Sequence, residues 1–368
     1  MISILIYNFL MLIVDVLLLS LVWRRYFLSL FELICLCGVG CFAAVLFSLG
    51  NLSFVAYGLA WYGSGFLIGV GLILILRNEK SSRRVWLIIL SFATSISILI
   101  FSIIALFIEP TALEVLRYEY ETNLVTKPIR VAFLADFQTD RIGDYERKSL
   151  YLLKSQNADL IIFGGDYIQA RNKETEERLI KEFNLLLKEV NLKAKYGVYA
   201  IMGNQEIGCW CDWRRSFRGT GVVTLTNTRR MNIGELHVVF VSMLSSFTRQ
   251  KIVKHSRAFD RNRHPLKQRF VLMAGHAASY AMAEQDAHIM LAGHTHGGQI
   301  SFPFFGPITN MTEGLPRRWS SGDHRLPNGS ILIVSKGTGM ERGRAPRVRF
   351  NCKPDIIVID VVPEKGKN

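Results

Sequence analysis

Four long apolar runs fill the first 108 positions of this chain, at residues 1–23, about 28–49, 54–76 and 85–108. Each approaches the ~20 residues with which an α-helix crosses a bilayer, and a segment inside hydrocarbon must satisfy its backbone polar groups internally. An all-α bundle of four transmembrane helices is therefore expected over residues 1–109, in an integral protein of the cell membrane. A cleavable leader fits poorly, because no basic leader or small-residue cleavage site accompanies the first run and three more runs follow. The composition agrees: half of the 368 residues are hydrophobic and the mean hydropathy is positive, too apolar for an ordinary soluble chain of this charge. Asp15 and Glu32 are the ionisable residues inside the runs. Glu32 lies near a span end and Asp15 can face neighbouring helices, so neither requires a functional reading.

Basic residues orient the bundle. Arg24 and Arg25 follow the first run, and Arg77, Lys80, Arg83 and Arg84 lie between the third and fourth, whereas the loop near Gly50 and Asn51 is uncharged. Basic loops stay cytoplasmic, so the amino terminus and everything after the fourth run are expected to face away from the cytoplasm. Residues 110–128, bounded by Pro110 and Pro128, read as a juxtamembrane linker, and residues 129–368 as one large domain.

That domain contains five short apolar runs that each end on a polar residue able to bind metal. Residues 129–135 end in Asp136, 159–165 in Asp166, 196–203 in Asn204 and 270–275 in His276; the run through Leu291 leads to His294 and His296. Strands buried on both faces are continuously apolar, and ligands collect at their carboxyl ends. In an extended segment alternate side chains share a face, which lets His294 and His296 address one ion or two neighbouring ions. Oxygen and imidazole donors in this mixture suit a pair of divalent metals bridged by a carboxylate.

In this order the motifs resemble those of the calcineurin-like metallophosphoesterases, and Gly293-His294-Thr295-His296-Gly297-Gly298-Gln299 resembles the family's membrane-associated bacterial branch. The resemblance covers roughly residues 129–362. It implies an α/β domain of two stacked mixed β-sheets flanked by helices. It also implies two metal sites: Asp136 and His296 at the first, Asn204, His276 and His294 at the second, and Asp166 bridging. The chain departs from the pattern twice, with Gln138 and Gln205 where the family has histidines. Gln138 can still offer a carboxamide oxygen to a hard cation, which favours manganese or magnesium as the paired ions over zinc or iron, with manganese the first choice. Gln205 occupies, beside Asn204, the catalytic position of a proton-donating histidine, and a carboxamide has no titratable proton. Loss of such an acid costs about 10²–10⁴-fold in rate. Glu206, His255 or His264 must then help, or the leaving group must be good enough alone.

The function implied is a metal-dependent phosphoesterase acting on a phosphoester or pyrophosphate of a lipid or lipid-linked substrate. Asp136 and Asp166 would position the metals, and Asn204 would help neutralise the phosphate oxygens. Two other readings follow from the same residues: a pseudoenzyme that binds metal or a phosphorylated ligand without turnover, and an enzyme similar to the UDP-2,3-diacylglucosamine pyrophosphatases of lipid A synthesis. The latter substrate is cytoplasmic, against the expected topology.

The net charge of +14 is concentrated in arginine and lysine clusters. Arg214, Arg215 and Arg218 form one, residues 249–269 a second, and Arg342, Arg344, Arg347 and Arg349 a third. A basic rim at the metal mouth would attract phosphate-bearing head groups. Nucleic acid ranks below lipid as a partner, because the basic runs lack interleaved aromatics; no protein partner can be inferred. Trp210, Trp213, Phe217 and the aromatics of residues 302–305 either seat an acyl chain, meet the bilayer or pack the core. The segment after Gln299, with turns at Gly306-Pro307 and Gly314-Leu315-Pro316, is a candidate lid. Residues 145–158 and 175–195 carry helical apolar stripes, and 237–243, 331–335 and 355–361 read as further strands. Among the six cysteines, Cys209-Trp210-Cys211 is too tightly spaced for an ordinary zinc pair, and no disulfide framework is implied.

Overall fold

A computed structural model describes residues 2–24, 29–48, 52–77, 81–250, 268–310, 312–342 and 345–364. The chain divides into two compact units, one comprising Met1–Ile108 with Glu341–Val348 and the other Glu109–Met340 with Arg349–Asn368.

In the first unit the apolar runs form helices α1 (Ile2–Arg24), α2 (Leu30–Phe47), α3 (Leu52–Leu76) and α4 (Ser82–Ile103), all four long and apolar enough to cross a membrane. Glu32 has a local use. With Ser29 it closes a capping box at the start of α2, the serine side chain accepting from the Glu32 N–H and the carboxylate accepting from the Ser29 N–H at 2.8 Å. Asp15 is half-buried and faces a small cavity lined by Gly40 and Tyr62 rather than open lipid.

The second unit is α/β. Its strands are β1 (Glu114–Thr122), β2 (Ile129–Leu134), β3 (Leu160–Phe163), β4 (Val198–Ile201), β5 (Val223–Leu225), β6 (Arg229–Ile233), β7 (Leu236–Phe240), β8 (Phe270–Ala274), β9 (Ile289–Ala292), β10 (Ser301–Phe302), β11 (Gly306–Pro307), β12 (Gly322–Arg325), β13 (Ile331–Val334) and β14 (Asp355–Pro363). Two mixed six-stranded sheets result, ordered β1-β14-β2-β3-β4-β5 and β12-β13-β9-β8-β7-β6. In each, a run of parallel strands (β2 to β5; β13, β9, β8 and β7) brings carboxyl ends to one edge.

Alternation along each strand explains why these runs carry no polar face. Ile129, Val131 and Phe133 of β2 pack with Leu272, Leu291 and Ile357 in one cluster between the sheets. Ala132 and Leu134 point the other way and meet Leu150 of α5 (Asp144–Lys154) and Leu179, Phe183 and Leu187 of α6 (Lys173–Val190). Helix α6 is bounded by its own sequence: the Asn172 side chain accepts from Thr175 N–H, and Asn191 ends it in the left-handed region at φ 50°. The second sheet's outer face is closed by Tyr280 and Trp319 over Met273 and Val334.

One expectation fails here. Residues 110–128 are not a free linker, because Glu114–Thr122 is an edge strand, paired in parallel with β14 from Glu114 opposite Asp355 to Thr122 opposite Pro363. The segment alternates polar and apolar residues because an edge strand with one packed face needs no more.

Candidate metal centre

The carboxyl ends of the two sheets meet, and the meeting is made by the donors themselves. From the first sheet, Asp136 accepts at Oδ2 from the His294 N–H of the second at 2.8 Å. In the opposite direction, His276 Nδ1 lies 2.9 Å from the Gly164 carbonyl and its Nε2 lies 2.8 Å from Asn204 Oδ1. Asp166, His276 and His294 bring ligand atoms within 4.8 Å of one another. Asp136 joins them, its Oδ1 being 3.7 Å from His276 Nδ1. This closeness requires glycine: a Cβ on Gly203 would sit 2.3 Å from Asp166 Oδ1, and one on Gly293 2.6 Å from Asp136 Oδ2. Six residues around the site have left-handed backbones, Asp136 (φ 48°), Gln138 (35°), Asp166 (55°), His294 (70°), His296 (49°) and Gln299 (57°). Asp and His tolerate that region better than most side chains, and such conformations cluster where function requires them.

The electrostatics of the donor set suit a cation. Burial, and then the neighbouring Asp166, hold the Asp136 carboxyl well above its ordinary range. Burial lowers His276 from 6.5 to about 4 and, with the Arg349 charge, drives His296 well down too. Both imidazoles are therefore neutral at pH 7, with lone pairs available. Because a carbonyl can only accept, His276 Nδ1 carries the proton and a bare Nε2 confronts Asn204 Oδ1. A cation between them relieves that pairing, as does Asn204 turned to offer its amide. Asp136 Oδ1 and His296 Nδ1 are buried without a hydrogen-bond partner among the described residues. Carboxylates in repulsion and bare imidazole nitrogens fit divalent ions.

The remaining sequence candidates lie close by. Gln138 is fully buried and its N–H donates to the Asp166 carbonyl at 2.8 Å; the Gln205 N–H donates to Asp166 Oδ1 at 2.8 Å. Glu206 has a larger part than that of a substitute acid. Its carboxylate accepts from the N–H groups of Asp166 (2.9 Å), Tyr167 (2.8 Å) and Gly203 (2.8 Å), tying the β3 and β4 loops together. Burial and the Asp166 charge push it up to about 8, although these three bonds pull the other way. The cue in the sequence was an acid directly behind the Asn204 loop.

One member of the expected basic clusters, Arg349, is part of the core instead. Arg349 is completely buried and donates to the carbonyls of Lys336 (2.7 Å), Gly337 (3.1 Å), Gly339 and Cys352 (2.9 Å). It thereby fixes the loop whose Gly339 N–H reaches the Asp136 carbonyl at 2.6 Å. Arg214 pairs with Asp212 at 2.8 Å. Residues 251–267, with His255 and His264, and Arg344 lie outside the described residues. Trp213 and Phe217 are core, packed on Tyr167 at ring separations of 5.6 and 4.8 Å, whereas Trp210 is exposed.

Two stacked mixed sheets with Asp, Asn and His side chains where their strand ends join have the α/β fold of the metallophosphoesterases. Residues 129–298 match the family model of the calcineurin-like phosphoesterases, and the chain carries a calcineurin-like metallophosphoesterase domain. It is 26% identical over 263 residues to YkuE of Bacillus subtilis, covering 69% of this chain and 87% of the relative. With YkoQ of the same species it shares 25% over 239 residues, 62% and 82% of the two chains. Both are described as uncharacterized metallophosphoesterases. A shorter match, 29% over 94 residues, joins it to the phosphodiesterase YaeI of Escherichia coli and covers 26% of this chain and 32% of that one.

Proposed function

We propose that the protein is a membrane-embedded, metal-dependent hydrolase of a phosphodiester or pyrophosphate bond in a lipid or lipid-linked substrate. The observation that carries this reading is the convergence of Asp166, His276 and His294 within 4.8 Å, with Asp136 hooked into the same cluster. Asp136, Gln138 and His296 would hold one ion and Asn204, His276 and His294 another, with Asp166 between them. Divalent ions held there would polarise the phosphoryl oxygens and lower the pKa of a water molecule. A carboxamide oxygen in the donor set favours a hard cation, manganese before zinc.

The chain's own residues restrict the substrate. Gln205 has no proton to give to a leaving group. Glu206 is buried and its oxygens accept from three backbone N–H groups, which ties the carboxyl to the loops rather than to a leaving group. The bond broken should therefore have a leaving group that departs without protonation, as in a pyrophosphate. The name of YaeI, a phosphodiesterase, supports the diester class. The apolar N-terminal helices support a lipid over a soluble metabolite, since they keep the domain near phospholipid. The Gly-His-Thr-His-Gly-Gly-Gln block accords with a membrane-associated branch of the family.

The test is hydrolysis of a chromogenic phosphodiester by detergent-purified protein with manganese. Wild type should turn over, and Asp166→Asn and His294→Ala should each lose at least about 100-fold. Gln205→His should speed substrates with poor leaving groups and leave the chromogenic ester nearly unchanged. Metal uptake without turnover of monoesters, diesters or pyrophosphates would overturn the reading in favour of a ligand-binding pseudoenzyme.

A further inference from the structure

Two residues beyond Gln299 the chain enters a two-stranded hairpin, β10 against β11, whose tip is almost wholly aromatic. Phe304 is 104% exposed and Phe305 82%, with Phe302 at 46% and Ile308 at 57%. Burying a phenylalanine is strongly favourable, so a tip that holds two of them in water forgoes a large stabilisation. The backbone works to keep it so. Phe304 has φ 69°, a conformation rare for a bulky L residue. Arg317 props the turn from behind, its guanidinium donating to the Pro307 and Phe305 carbonyls, and Arg318 beside it is exposed.

The hairpin is rooted in the metal loop. The Ile308 N–H donates to the Ile300 carbonyl at 3.1 Å, and a Cβ on Gly298 would strike the Thr309 carbonyl at 2.2 Å. Gly298 closes the turn that begins at His296. Aromatic tips with a cationic collar suit the interface of a bilayer, where rings sit at headgroup level and arginines are drawn to an anionic surface. The chain brings its own bilayer through four candidate spans.

We propose that the hairpin at residues 301–307 is a membrane-insertion loop that enters the surface of an anionic bilayer and so holds the metal centre at the level of lipid phosphates. Its catalytic consequence rests on the lipid-phosphoester reading above; the insertion itself does not.

Full-length Phe304→Trp and wild type are reconstituted in phosphatidylcholine–phosphatidylglycerol vesicles, and the emission added by the new tryptophan is read with and without brominated lipid. The added emission should be blue-shifted and quenched by bromine. Emission at the wavelength of a water-exposed indole, unquenched, would overturn the proposal, and blue-shifted emission without quenching would do the same by assigning the tip to a protein partner or second copy. In a second measurement Phe304→Ser/Phe305→Ser should lose about tenfold or more on a phospholipid substrate in the vesicles and keep wild-type rates on the soluble chromogenic diester. Equal rates on the lipid substrate would contradict the catalytic consequence. Bromine quenching of the Phe304→Trp emission, with wild type hydrolysing neither substrate, would sink the hydrolase reading and leave the insertion loop standing.

Discussion

The His276 ring is held by the Gly164 carbonyl on one side and by Asn204 and Asp166 on the other, in a space that admits no water. Burial lowers its pKa from 6.5 to about 4, so between these values the unfolded chain binds a proton that the folded one refuses. Stability contributed by the neutral ring is therefore complete above pH 6.5 and is lost as pH falls toward 4, by about 3 kcal/mol in all. Asp136 and Glu206, whose pKa values are raised, act in the opposite sense. A direct pH scan would mix the two effects, and a difference between variants separates them. In chelator-treated protein the stability of wild type minus that of His276→Asn, followed by thermal unfolding in detergent, should grow from pH 4 to 6.5 and stay level above. A difference independent of pH would show that the ring is not held neutral. The donors were legible in the sequence because Asp136, Asp166, Asn204, His276 and His294 each end or follow an apolar run. The roles of Glu206 and Arg349 were not. Both act on backbone groups, Glu206 on N–H groups up to 40 residues away, and only the folded loops bring those groups to them.

The long helices and the inner strands were readable for one reason: each is buried or apolar along its whole length, so composition alone marks it. Strands β2, β3, β4, β8 and β9 pack on both faces, and the shared carboxyl edge follows from their parallel pairing. Strand β1 was missed because Glu114, Arg117, Glu119 and Glu121 interrupt any apolar run. Its place was decided by nine residues of register with β14, a partner some 240 positions away in sequence and invisible to local pattern. Strands β5 and β12 are short and partly exposed, and β6 is polar, with the same consequence. The candidate lid proved to be in part the β10–β11 hairpin, where the aromatic residues were visible in the sequence but their full exposure was not.

For the molecule as a whole, the sequence divides four candidate membrane spans from the α/β unit, and the charges of the loops between the spans argue for sidedness. With Arg24 and Arg25 in one loop and Arg77, Lys80, Arg83 and Arg84 in another, we propose that both basic loops lie in the cytoplasm and the carboxyl-terminal unit outside it. A reporter fused to the carboxyl terminus should work only if it is of the kind that matures outside the cytoplasm; activity confined to a cytoplasmic reporter would reverse the assignment and reopen substrates found there. The catalytic claim is independent of side and rests on metal. Purified wild type loaded with manganese and desalted should retain about two ions per chain by elemental analysis, and Asp166→Asn, which removes the shared ligand, should retain fewer than one. Wild type that retains no divalent ion under these conditions, while folded and monodisperse, would contradict the account.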